Sequence, residues 1–331
     1  MTIHGWIGRS ALALASCLSW ARAADMPPLV LETTIPLEHT GGRIDHMAID
    51  LRRKHLFVAE LGNGTMDIVD LATGKVAARI NGLKEPQGVG YSEKADLVVV
   101  ASAGDGSVRF YRGADLAPAG SLQLGDDADN VRIDPRNGNV VVGYGSGGLA
   151  VIDPVTRTKV ADLSVPGHPE GFQLDPASNR AFVNVPDARQ VAVVDLGGVK
   201  PTVWRVAGTL GNFPMAYDAD RRQVAIVTRS PPELLVLDGG TGQVTARLPA
   251  CGDADDVFFD LRRQRIYVSC GSGEVATWRR DGTTYRKLAP TRTDSGARTS
   301  LFVLELDRLF VAQRAGLFCS RAAILVLRPQ D

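Results

Sequence analysis

Carboxylate side chains recur along the chain at intervals of about 42 residues or a multiple of it, in loops rich in Gly, Pro and Asp. The corresponding position of seven such loops is occupied by Asp45, Gln87, Asp129, Glu170, Phe213, Asp255 and Arg298. His46, Asn130 and Asp256 directly follow three of these residues. Carboxylate oxygens are the ligands that calcium and magnesium prefer. The pattern predicts a ligand-binding site formed by Asp45, His46, Gln87, Asp129, Asn130, Glu170, Asp255, Asp256 and Arg298.

Four carboxylates brought to one place would repel one another unless they are neutralised. Two unit charges about 8 Å apart repel by about 2 kcal/mol at an effective dielectric constant of 20. A bound divalent cation would remove this repulsion, and its expected ligands are Asp45, Asp129, Glu170 and Asp255. Participation of His46 or His168 would shift the preference from calcium or magnesium toward zinc or manganese. A salt bridge from Arg298, or protonation, would make a metal unnecessary, so a hydrated funnel is the alternative.

An internal repeat positions these loops. Its equivalent apolar residues are spaced by 42, 42, 41, 43, 42 and 43 positions, and they are Leu56, Val98, Val140, Ala181, Val224, Ile266 and Leu309. Each repeat contains up to four β-like runs, and the third and fourth are joined by turns such as "DLATGKV". Four antiparallel strands in about 42 residues is the blade period of a β-propeller. The chain is therefore predicted to be all-β, a seven-bladed β-propeller of four-stranded antiparallel blades.

The last repeat predicts how the ring closes. It ends after its third strand, "AAILVLR", and lacks a fourth. The run "LVLETTI" at residues 29 to 35 is predicted to supply that strand, so that both ends of the chain share one blade. On this interpretation residues 24–331 form a single propeller domain.

The turn sequences "DLATGKV", "DPVTRTKV" and "DGGTGQV" resemble those of the YVTN-type β-propeller repeat proteins, including the YncE-like periplasmic propeller group. The resemblance extends over residues 29 to 329, and the Gly-His and Trp-Asp signature of WD repeats is absent. It implies a secreted or periplasmic propeller. It does not imply a particular activity, because propeller scaffolds carry many functions.

Two function classes follow from the loops and the fold. The first is a non-enzymatic binding module that presents an acidic channel mouth to a small ligand, a metal ion or an envelope protein. The second is a propeller hydrolase of the lactonase type, with Glu170 or His46 as the base and Arg298 as the group that binds an oxyanion or a carboxylate. The chain has no G-x-S-x-G, H-E-x-x-H or P-loop sequence, and we therefore expect the binding module.

The N-terminal residues predict export. Arg9 precedes the apolar run "SALALASCLSW", and Ala21 and Ala23 form an A-x-A cleavage pattern. We expect residues 1–23 to be a signal peptide cleaved after Ala23, which places the protein in the periplasm or outside the cell. Lipoprotein processing at Cys17 is the alternative, since "LASC" resembles a lipoprotein box.

Three cysteines would remain after cleavage. Cys251 is predicted to end the outer strand before the sixth blade, and Cys270 to end the second strand of that blade, so both lie on the face with the acidic loops. We expect them to form a disulfide, with two buried thiols as the alternative. Cys319 is then left free.

The charge balance excludes some partners. The 37 basic and 37 acidic residues give no global excess that would draw the protein onto nucleic acid, and no segment predicts a membrane span. Basic residues do cluster in the turns between the first and second strands, such as "DLRRKH" and "DLRRQR". These turns are expected on the face opposite the acidic loops. Their basic residues are expected either to block edge pairing between sheets or to dock an anionic partner. A monomer is expected.

Overall fold

A computed structural model describes residues 1–2, 27–316 and 321–331. The expected signal peptide, including Cys17, and the expected free thiol of Cys319 lie outside these residues.

The described chain consists almost entirely of short strands. The strands of the first three blades, β2 to β13, are Met47–Asp50, His55–Glu60, Thr65–Asp70, Lys75–Asn81, Pro86–Ser92, Leu97–Ser102, Ser107–Arg112, Pro118–Gln123, Ala128–Ile133, Val140–Tyr144, Gly148–Asp153 and Thr158–Ser164. Those of blades four to six, β14 to β26, are Phe172–Asp175, Arg180–Val185, Gln190–Asp195, Thr202–Arg205, Leu210–Asp218, Gln223–Ser230, Pro232–Asp238, Val244–Pro249, Ala254–Asp260, Arg265–Cys270, Glu274–Asp281, Thr284–Lys287 and Thr291–Arg292. The seventh blade contains β27 to β29 and the first strand of the chain, β1, which are Ser300–Val303, Arg308–Gln313, Ala323–Pro329 and Leu29–Pro36.

The strands form seven antiparallel sheets, and in each of the first six blades the strands follow the chain order from the centre outward. The sixth sheet has a fifth strand, because β26 also pairs with β24. Adjacent first strands contact one another all the way around, from β2 through β6, β10, β14, β18, β22 and β27 back to β2. The seven-bladed propeller predicted from the repeat is confirmed.

The seventh blade closes as predicted. Its strand order is β27, β28, β29 and β1, so the N-terminal strand takes the outermost position. The antiparallel register pairs Leu31 with Leu327 and Ile35 with Ile324. Leu29 and Ile35 are buried in the blade.

The repeat places apolar residues where neighbouring sheets pack. All seven residues used to align the repeats are at most 1% exposed. The outer strands, such as β5 and β9, have no fully buried residue, which is why their sequences are less apolar. In the turns between third and fourth strands, the Asp70, Asp153 and Asp238 side chains accept backbone N–H bonds two residues ahead. These aspartates form turns, as expected.

Two 3-10 turns, Leu61–Asn63 and Pro186–Ala188, are the helical elements of the described residues. Among these residues no helix has both the length and the apolar character needed to cross a bilayer. Cys251 and Cys270 form the predicted disulfide, with Cα atoms 5.9 Å apart.

Candidate functional site

Eight of the nine residues expected at the mouth line one axial cavity on the face that carries the loops before the first strands. They are Asp45, His46, Gln87, Asp129, Asn130, Glu170, Asp255 and Asp256. The ninth, Arg298, contacts the cavity residue Asp255. These residues are far apart in the sequence, and they meet in one cavity because each blade places its loop next to the propeller axis.

Local irregularities of the first strands position several of these side chains. The pairing of first and second strands shifts register between Pro86 and Val89, between Ala128 and Val131, and between Ala254 and Asp256. A fourth shift lies in the fifth blade, next to Phe213. Bulges of this kind redirect a side chain and are frequent near functional sites. Gln87, Asp129 and Asp255 thus lie where the strands depart from regular pairing.

Glycine follows two of the mouth residues because neighbouring loops approach closely. A Cβ atom on Gly88 would lie 1.9 Å from the carbonyl oxygen of Asp129, and one on Gly171 would lie 2.4 Å from that of Phe213. The Gly171 N–H donates to this Phe213 carbonyl at 3.1 Å. The close approach fixes the backbone next to Glu170.

Arginines neutralise one side of the mouth. Asp45 pairs with Arg43 at 2.8 Å. Asp255 pairs with Arg229 at 2.7 Å and with Arg298 at 2.9 Å. We call these five residues, from blades five to seven and the loop before blade one, the arginine side of the mouth.

The other side carries acidic groups without such partners. Asp129 is 5% exposed, forms no ion pair among the described residues, and its Oδ1 atom has no hydrogen-bond partner there. Burial, reinforced by the charge of Glu170, raises the pKa of Asp129 well above its usual value. Burial also raises the pKa of Glu170 to about 7, although nearby His168 opposes the shift. We call Asp129, His168 and Glu170 the carboxylate side.

The carboxylate side has the composition of a metal site. One potential ligand atom from each of Asp129, His168 and Glu170 lies within 4.8 Å of the others. His168 approaches the carbonyl oxygen of Gly145 with Nδ1 at 2.7 Å. A carbonyl only accepts hydrogen bonds, so Nδ1 carries the proton and Nε2 has the lone pair that could bind a metal.

An uncharged histidine, His46, and a half-buried arginine, Arg132, line the same cavity as the acidic groups. Burial, together with the charge of Arg132, lowers the pKa of His46 to about 4. Burial also lowers the pKa of Arg132, while Asp256 and Asp129 oppose this shift. Asp256 accepts a 2.7 Å hydrogen bond from the backbone N–H of Ser300, and burial raises its pKa well above the usual value. His46 is therefore a neutral base at pH 7.

The cavity is small. The volume open to the centre of a water molecule is about 20 Å³, roughly enough for one water. The cavity has room for a single ion or water molecule, whereas an organic ligand would have to bind above the cavity or open it.

Sequence reasoning missed several residues of the site. Arg43 and Arg229 were not recognised as partners of Asp45 and Asp255, and Arg132 was not placed in the channel. The alternation of side chains along a strand could have found Arg132, because it lies two residues after Asn130 and so on the same face.

Comparison with known proteins bears on the fold. One chain of hydrazine synthase from Kuenenia stuttgartiensis superposes with a TM-score of 0.72, at 16% identity, over 83% of this chain and 94% of that chain. One chain from a crystal structure of the mitotic checkpoint complex gives 0.77, at 12% identity, over 100% and 99%. No family model and no curated protein matches this chain. The similarities show the β-propeller fold, and the narrower resemblance to YVTN-type proteins stays a prediction.

Proposed function

We propose that this protein is a propeller binding module that holds a small cation in its axial mouth. The observation that carries the proposal is Asp129, a buried carboxyl group that lines the cavity and has an oxygen without a hydrogen-bond partner among the described residues. Buried carboxylates are ordinarily paired or coordinate metals, because an isolated buried charge is costly. A cation would supply the missing partner.

The contrast between the two sides of the mouth supports this proposal. Asp255 already has two arginine partners, whereas Asp129 and Glu170 have no ion pair among the described residues except the approach of His168. The charge of Glu170 acts on Asp129 in the direction expected for unrelieved repulsion. The cavity volume also favours an ion over an organic ligand.

The test is a calorimetric titration and a melting curve of chelator-treated protein with calcium, magnesium, manganese or zinc. A cation at 100 times its dissociation constant should stabilise the fold by about 2.7 kcal/mol. Asp129→Asn should abolish this stabilisation. Asp187→Asn is the matched control, because Asp187 is exposed in a loop of the same face. If no cation shifts the melting temperature of the wild type, the proposal fails.

A hydrolase of the lactonase type is the second candidate, favoured by the pKa of Glu170 near 7, which suits a general acid or base at neutral pH. The Arg298 guanidinium, expected to bind the substrate, is held by Asp253 at 2.7 Å and by Asp255. A lactone panel, with and without divalent metal, tests this alternative. Turnover that disappears in Glu170→Gln would establish it.

We also propose that the protein acts outside the cytoplasm. The apolar N-terminal run and the A-x-A pattern support export, with cleavage after Ala23. N-terminal sequencing of protein from the periplasm or medium tests this. Protein that keeps residues 1–23 in the cytoplasm would contradict export, and an acylated Cys17 would contradict cleavage after Ala23.

A further inference from the structure

We infer that Asp129, His168 and Glu170 form a site for one transition-metal ion of the zinc class, and that His168 makes the site prefer zinc to calcium and magnesium. This inference rests on the proposed cation binding and specifies which ion binds and where. The proposed site lies on one side of the mouth, in contrast to the ring of four equivalent carboxylates expected from the sequence.

The three side chains come from two adjacent blades. Asp129 lies at the start of β10, and His168 and Glu170 lie in the loop before β14. The Glu170 N–H donates to the carbonyl of Asn184 at 3.0 Å, which ties this loop to the second strand of its own blade. One end of the site thus lies at the register shift of β10, and the other is held by this hydrogen bond to β15.

The histidine is arranged as metal-binding histidines usually are. In proteins, a histidine that binds a metal through one nitrogen generally donates the other N–H to a carbonyl or a carboxylate. Nδ1 of His168 lies 2.7 Å from the Gly145 carbonyl and 3.4 Å from the Asp127 carboxylate. These two groups hold the tautomer in which Nε2 can bind the ion.

Unsatisfied oxygens in the same cavity supply the second line of support. Asp129 Oδ1 and Asn130 Oδ1 are both buried, and both lack a hydrogen-bond partner in the described part of the chain. The side chains of both residues line the cavity, and the residues are 5% and 2% exposed. A cation with its bound water would give these oxygens partners.

The donor types determine the choice of ion. Imidazole suits zinc and other late transition metals, whereas calcium and magnesium favour sites made of oxygen alone. Ligands around tetrahedral zinc lie about 3.3 Å apart, from bonds of about 2.0 Å. The present spacing, up to 4.8 Å, requires the side chains to turn inward on binding. Three protein ligands leave one coordination position for water in the cavity.

The experiment measures zinc and calcium affinity by calorimetry for chelator-treated wild type, His168→Gln and His39→Gln. His39 is the matched control, since it is an exposed histidine in a loop of the same face and does not belong to the group of Asp129, His168 and Glu170. We expect one zinc per chain, weakened at least about tenfold by His168→Gln and unchanged by His39→Gln. Cobalt(II) should give the visible absorption of a four-coordinate site in the wild type and lose it in His168→Gln.

The outcomes separate this inference from the proposed function. Calcium or magnesium binding that exceeds zinc binding, or zinc binding that His168→Gln leaves intact while Asp129→Asn removes it, would overturn the zinc assignment and retain a cation site. Absence of binding by any ion would overturn both. If His168→Gln does not fold, the wild type alone provides the test, because calcium or magnesium binding that exceeds zinc binding, or a cobalt(II) spectrum without the absorption of a four-coordinate site, would still overturn the zinc assignment.

Discussion

Asp129 and Asp255 occupy the same position in two repeats but differ in their surroundings. Asp255 accepts a hydrogen bond from Arg229 and forms a second ion pair with Arg298, whereas Asp129 has no ion pair among the described residues. Loss of a buried carboxylate that has cationic partners leaves their charges uncompensated and destabilises the fold, whereas loss of one without partners removes an unfavourable buried charge. Equivalent positions of a repeat can therefore have opposite energetic effects.

Neutralising these two residues should change stability in opposite directions. In metal-free protein at pH 7, Asp129→Asn should raise the free energy of unfolding by about 1 kcal/mol, since it removes an unpaired buried acid. Asp255→Asn should lower it by about 2 kcal/mol, because Arg229 and Arg298 lose a charged partner. Denaturant unfolding of the two variants measures both effects. Changes of the same sign would contradict the asymmetry.

The positions of the mouth residues were predictable from the sequence, but their pairing was not. Counting along the repeat placed Asp129 and Asp255 in one cavity, since each blade repeats the same path. Arg229, by contrast, follows from no repeat position, because it reaches Asp255 from the end of β19 in the preceding blade. Such a contact depends on side-chain reach between blades, which the period alone does not specify.

At the scale of strands and turns, arginines on the opposite face connect neighbouring blades. In the turns after β2 and β22, the arginine three residues after the strand's last Asp pairs with that Asp and with an Asp of the next blade. Arg53 bonds Asp96 through both terminal nitrogens, each at 2.7 Å. The basic turns thus link sheets, a role that neither sequence-based interpretation had included.

Arg263 should contribute much more to stability than its neighbour Arg262. The Arg263 side chain is 7% exposed and reaches Asp260 at 3.3 Å and Asp307 at 2.6 Å. Arg263→Ala leaves these acids without their guanidinium and should cost about 3 kcal/mol. Arg262 is 65% exposed, and Arg262→Ala should change stability by less than about 0.5 kcal/mol. Equal effects of the two substitutions would show that the link between the blades is unimportant.

The ion pair between Arg263 and Asp307 predicts that the stability depends on pH. The hydrogen bond from Arg263 holds the pKa of Asp307 below its usual 3.8. A lowered carboxyl pKa stabilises the fold above the unfolded value and loses this contribution as the pH falls through the folded value. The difference in unfolding free energy between wild type and Arg263→Ala should therefore shrink as the pH falls below about 4. Acid titration of both proteins measures it, and a difference that is constant with pH would show that the Asp307 carboxylate is not its source.

The disulfide stabilises a loop that carries part of the mouth. Cys251 precedes Asp253 and Asp255, and its partner Cys270 ends β23. The two cysteines are 19 residues apart, and closing a loop of this size stabilises by about 3 kcal/mol in the chain-entropy model.

Replacing both cysteines by serine should lower the free energy of unfolding by about that amount. Cys319→Ser is the control and should have little effect. Alkylation of the unreduced mature chain, followed by mass spectrometry, should modify one thiol. Modification of three thiols would exclude the disulfide.

The ring as a whole was predictable because the repeats are evenly spaced and the last repeat is visibly incomplete. Each repeat had an apolar run at the same spacing, and the last repeat lacked one strand. Closing the ring this way joins residues near both ends of the described propeller. The Gln330 N–H donates to the Pro28 carbonyl at 2.9 Å, beyond the last pair of β1 and β29. Among the described sheets, only the seventh combines strands from the two ends of the propeller. We therefore expect the closure of the ring to depend on β1.

Removal of the N-terminal strand should open the ring. A chain that begins at Thr40 lacks β1, which exposes the backbone edge of β29 and the apolar groups that Leu29 and Ile35 now cover. An uncovered apolar edge promotes pairing with other chains, so this truncation should aggregate or melt well below a chain that begins at Pro27. A synthetic peptide of residues 27 to 38, added in excess, should restore part of the lost stability by occupying the open position. Light scattering and melting curves measure both effects, and a truncated chain as stable and monomeric as the longer one would show that β1 does not hold the ring closed.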